Sequence, residues 1–147
     1  MNTTYQYVFN EFKDGITDPD LLQFAEDLQS DMLLAIMRKA IVKCNRITKK
    51  TCDLTNRNDV ALEFNVEIPD DVLDILLEWM VVIWLRPYVN NIENLRNNLN
   101  TKDFTMYSPA NLLEKIGDRY DKAFAEANSL TNKFSYIYSY MENLKSW

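Results

Sequence analysis

"ILLEWMVVIWLRPY", residues 75–88, is the most apolar passage of a 147-residue chain that is otherwise acidic and rich in asparagine. Glu78 divides it, and from Ile75 to Leu85 it spans only eleven residues, where a membrane-crossing helix needs about twenty. The passage therefore reads as a packed helix. Val72, Ile75, Leu76, Trp79, Val82, Ile83 and Leu85 set a wide stripe on one face, and the pattern resumes beyond Pro87 at Val89, Ile92, Leu95 and Leu99. Proline cannot donate to the carbonyl four residues back and crowds it, so the expectation is a helix over 70–99 kinked at Pro87, or one that ends near Arg86 and restarts. Trp79 and Trp84 lie about 140° apart on such a helix. One is expected to face the chain's own core and the other a neighbouring chain.

Working towards the N-terminus, "LEFNVEI" (62–68) alternates strictly, with Leu62, Phe64, Val66 and Ile68 on one side and Glu63, Asn65 and Glu67 on the other. That is the period of a strand. A lone strand leaves its backbone unpaired, so it is expected to form a hairpin with the segment around Ile47 to Leu54, or to add to the edge of another chain. Residues 47–68 thus read as a loop and β segment. Upstream, Thr17 or Asp18 as cap and Pro19 in the first turn start a helix over 17–45. Leu21, Phe24, Leu28 and Met32 form its stripe, and the apolar residues after Met32 spread round it as if it were covered on several sides. Residues 1–16 read as a short helix or an arm.

Towards the C-terminus, Ser108 and Pro109 open a helix over 109–145. Leu113, Ile116, Tyr120, Ala123, Ala127, Leu130, Phe134, Ile137, Met141 and Leu144 recur at alternating spacings of three and four, an unbroken heptad seam. A helix of this length is roughly 50 Å long, so it either protrudes or lies beside a long partner. Tyr136, Tyr138, Tyr140 and Trp147 near its end are aromatics of the kind found at interface anchors. The fold expected is mainly α: a single helical domain over 1–147, a bundle with a kinked central helix pair, a long C-terminal helix and one short β-hairpin or strand.

Composition narrows the chemistry. The chain has no histidine, which removes the usual general acid–base near neutral pH and the commonest metal ligand. Cys44 and Cys52 are separated by seven residues and lack zinc-site spacing, and they read as reduced thiols. The carboxylate pairs Asp70/Asp71 and Asp118/Asp121 read as helix capping and a solvated face. No glycine-rich phosphate loop or serine elbow is present. The expectation is a protein that is not an enzyme, with no catalytic, cofactor-binding or metal residues and no cofactor. The N-terminus lacks the pattern of a signal peptide, so a cytoplasmic site of synthesis is expected.

Charge is polarised along the chain. The net charge is −6, yet "RKAIVKCNRITKK" (38–50) carries Arg38, Lys39, Lys43, Arg46, Lys49 and Lys50 and no acidic residue. Cations opposing a helix C-terminal dipole explain part of this. A docking patch for an acidic partner or a phosphate backbone is the alternative.

"LNTKDFTMYSPANLL" (99–113), joined to the tryptophan-rich helix before it and the long helix after it, resembles small virion proteins of tailed bacteriophages, those of the neck and head-to-tail connector. The sixteen asparagines agree with the AT-rich coding of many such phages. The resemblance implies a virion location and a structural protein that forms or joins a ring between portal and tail. Its partners would be copies of itself and portal or tail components, close to the DNA backbone, and no membrane. A small adaptor or regulatory protein of phage or bacterium, binding a protein or DNA through residues 38–50, is the other reading.

Overall fold

The computed structural model describes residues 1–90 and 109–145. Along the chain run α1 (Tyr5–Asp14), α2 (Pro19–Glu26), α3 (Ser30–Thr48), β1 (Arg57–Asn58), β2 (Glu63–Phe64), α4 (Asp70–Asn90) and α5 (Pro109–Lys145). The protein is mainly helical, with one two-stranded antiparallel sheet and a long C-terminal helix.

The passage 75–88 lies at the centre. Leu73, Ile75, Leu76, Trp79, Met80, Val81, Val82, Trp84 and Leu85 are all buried. At 100° per residue these positions occupy the whole circumference of α4 rather than the single stripe that the sequence suggests. α5, α3 and α1 pack against it. The helix continues through Pro87 to Asn90 and does not stop at Arg86; the expected continuation to Leu99 lies outside the described residues.

The expected helix over 17–45 is two helices. α2 begins as read, with the Asp18 side chain accepting from the N–H groups of Asp20 and Leu21 and Pro19 in the first turn. It ends at Asp27, and α3 starts at Ser30, where the Asp31 carboxylate accepts from the N–H of Met32. Side chains such as Asp and Ser offer the backbone alternative hydrogen bonds, which a hydrophobic count does not register. The break takes Met32 out of the stripe and exposes it. α3 is then buried along one line only, through Leu33, Met37, Ala40, Ile41, Cys44 and Thr48, and is not covered on several sides.

The strand is shorter than its alternation suggests, and its pairing is within the chain. β2 pairs with β1, Arg57 opposite Phe64 and Asn58 opposite Glu63, and not with residues 47–54. Leu62 has φ of 58° and is exposed, so the extended run starts only after it; a left-handed leucine is a costly conformation. Asn58 Oδ1 accepts from the N–H groups of Val60 and Ala61 and closes this turn. The other edge is taken by the N-terminal residues, which are both arm and helix. Thr4 bridges Glu63, the Thr3 N–H donates to the Val66 carbonyl, and the Phe64 N–H donates to the Thr3 carbonyl. The Thr3 hydroxyl accepts from the Ile68 N–H in a buried bond of 2.9 Å. At the mouth of this sheet the Tyr5 hydroxyl donates to Asp59 at 2.6 Å. Burial and that carboxylate push the Tyr5 phenol up to about 12.

Along α5 the heptad seam holds until its last quarter. Leu113, Ile116, Ala123 and Ala127 are buried and Tyr120, Leu130 and Phe134 are half-buried against the core. The alanines are what allows α5 to lie close on α4, since a small side chain lets the backbones approach. Met80, fully buried, sits midway along the helix that all of this covers. Truncation by Met80→Ala should cost about 2–5 kcal/mol of stability through the cavity it leaves. The same change at exposed Met32 should stay within about 0.5 kcal/mol. Urea unfolding followed by circular dichroism checks both.

Candidate functional site

The two tryptophans singled out from sequence are both covered by their own chain. Trp79 is 7% exposed and Trp84 3%. The Trp79 indole N–H donates to Thr131 Oγ1 at 3.2 Å and its ring meets Phe124 edge-on. Trp84 points the other way round α4, stacked on Phe24 with ring centroids 5.5 Å apart and edge-on to Phe12. The 140° separation is real, but α5 fills one side and α1 with α2 fills the other, so neither ring is available to a neighbour. The signal for this lay in Phe12 and Phe24, whose partner the sequence did not name.

The other aromatic candidates divide. Tyr136 and Tyr140 are 73% and 56% exposed, while the side chain of Tyr138 and all of Trp147 lie outside what is described. Ile137, Met141 and Leu144, which continue the seam, are 60%, 50% and 54% exposed. At spacings of four, Tyr136, Tyr140 and Leu144 form one row and Ile137 and Met141 the row beside it. Where the stripe meets the body there is an apolar groove of about 360 Å³, lined by Ile75, Leu130, Phe134, Ile137 and Met141, with Asp71 and Asp74 at its edge. The seam is thus buried or half-buried over the first three-quarters of α5 and exposed in the last.

All six cations of 38–50 are exposed, along the outer face and the end of α3. Arg38 meets Asp59 at 3.3 Å. Asp59 is also held by Arg57 and by Tyr5, whose hydrogen bond does most to keep its carboxyl below the usual range. Asp53 likewise accepts from Thr55 and from Asn45. The structure thus keeps the patch together rather than dispersing it.

Glu78, Asp74, Glu11, Asp14 and Glu126 line a cleft of about 420 Å³ together with Arg119. Arg119 stands 3.8 Å from Glu78. Burial nevertheless outweighs that pair, and with Glu126 and Asp74 nearby it holds the Glu78 carboxyl above its usual range. Its Oε2 has no hydrogen-bond partner. No group of three or more potential metal ligands occurs among the described residues. Cys44 and Cys52 are buried free thiols, and burial pushes Cys44 up to about 12, which keeps it from acting as a thiolate. No helix of the described residues is long and apolar enough to cross a membrane. No protein-family model, curated protein sequence or solved structure matches the chain.

A carboxyl raised in the folded state opposes folding once it is ionised. Glu78→Gln should therefore raise the urea midpoint at neutral pH. The gain should be complete above the folded carboxyl's raised range, and should fade as the pH falls through that range towards the ordinary glutamate value, below which both proteins are neutral there. Urea titrations across acidic and neutral pH measure this; a loss of stability at neutral pH would show that the Arg119 pair, not burial, governs the site.

Proposed function

We propose that this chain is a non-enzymatic structural protein of a tailed-phage virion that forms or joins a ring at the neck, between portal and tail. The observation that supports the reading is the uncovered end of α5. Its stripe of Tyr136, Ile137, Tyr140, Met141 and Leu144 has the mixed aromatic and aliphatic character of an interface centre, not of a solvated face. The interior, by contrast, is filled by α4, whose apolar residues from Val72 to Leu85 are buried in the core.

A helix that projects its seam past its own bundle supplies the knob of a contact, and the groove beside Phe134 supplies a hole. When knob and hole occupy different patches of one surface, copies join head to tail, and such contacts close into rings when the rotation allows. The phage setting is supplied by the resemblance around residues 99–113. Localisation to the virion, and contact with portal or tail components, belong to the same proposal.

Light scattering after size-exclusion chromatography tests it. The expected result is a discrete oligomer, formed alone or on mixing with the portal protein encoded alongside. The double variant Ile137→Glu/Met141→Glu should remain as helical as the parent and should be monomeric. A monodisperse monomer that binds neither portal nor tail proteins would overturn the reading.

A further inference from the structure

We infer that the outer face of α3 is a binding surface for the phosphate backbone of duplex DNA, read without regard to sequence. The inference rests on the assembly reading for its setting, since it names a second kind of partner for the same particle. Its argument comes from α3 itself.

Lys39, Lys43 and Arg46 stand at successive spacings of four and three, so they form one line on the surface of α3. The line is about 10 Å long at 1.5 Å per residue. Duplex DNA presents a negative charge about every 1.7 Å of its axis, so a line of this length faces several phosphates at once. The helix dipole accounts for cations only within the last turn. Arg46, Lys49 and Lys50 satisfy it, but Arg38, Lys39 and Lys43 lie further back. Like charges three and four residues apart weaken a helix, and Asp31 at the far end is the only acid in α3. Lys39, Lys43 and Arg46 make no ion pair with any described residue, and the nearby acids Asp53 and Asp59 are occupied by their own hydrogen bonds. An external anion would relieve the repulsion.

The composition of the face selects the anion. Lysine is depleted at protein–protein interfaces, whereas four of these six cations are lysine. No aromatic residue occurs between positions 38 and 50, which disfavours the stacking on which single strands depend. Of the amide side chains that pair with adenine edges only Asn45 is present, and it is engaged with Asp53 and the Leu54 N–H. Charge without stacking fits a duplex backbone.

Fluorescence anisotropy of a labelled duplex of about 30 base pairs, followed from about 50 to about 200 mM NaCl, tests the inference. With Arg38 engaged by Asp59, Lys39, Lys43, Arg46 and Lys49 give four cations, and this fourfold rise in salt should weaken binding by about 150-fold. The triple variant Lys39→Gln/Lys43→Gln/Arg46→Gln, with its helical content checked by circular dichroism, should bind far more weakly at the lower salt. Its remaining salt effect should be about 3–4-fold. Absence of binding by the parent at about 50 mM NaCl, or a triple variant indistinguishable from it, would overturn the inference. Tighter retention of labelled polyglutamate than of duplex would overturn it too, assigning the face to an acidic protein. Light scattering on the same samples separates the two proposals. Oligomers that ignore DNA sink this one alone, and monomers that bind DNA sink the assembly reading alone.

Discussion

A helix that is apolar on every side can be stable in water only if something covers every side, and α4 is such a helix. The consequence runs through the whole chain. α5 takes the face that carries Trp79, α1 and α2 take the face that carries Trp84, and α3 closes another. The small sheet and the N-terminal residues serve the same end. Thr3 and Thr4 tie α1 to β2, and β2 buries Phe64 edge-on against Tyr5.

How much of this could be read beforehand depended on whether the signal was local. The long C-terminal helix and its start were legible because proline chemistry and a sustained heptad act along a single element. The helical character of 70–90 was legible for the same reason. The break between α2 and α3 was not: Leu21, Phe24, Leu28 and Met32 keep helical spacing across it, and only the competing polar groups around Asp27 and Asp31 mark it. The strand misled in a different manner. Alternation reports which side chains are buried, and Phe64 and Ile68 are, but it says nothing of whether the backbone is paired, and Leu62 turns back in a left-handed conformation.

The surfaces followed the same division. That the cations of 38–50 would be exposed was legible, since they fall between the positions of the apolar line through Ala40, Ile41 and Cys44. The expectation that one tryptophan of the pair faces a neighbour failed because sequence spacing gives an angle and not the identity of what lies at that angle. At Ile137, Met141 and Leu144 the seam alone left open whether the helix protrudes, and these three side chains are exposed. What is left exposed is therefore outward-looking: an apolar stripe at the end of α5 and a cationic line on α3, both outside a core that is otherwise complete.

Residue-resolved hydrogen exchange is the most direct test that α4 is the element on which all others depend. The amides of residues 72–85 should be the slowest to exchange, opening only with global unfolding, with α5 nearly as slow up to about Leu130 and fast beyond Tyr136. Exchange of the α4 amides ahead of those at the end of α5 would contradict this, because a helix covered on all sides cannot open before the segment that nothing covers.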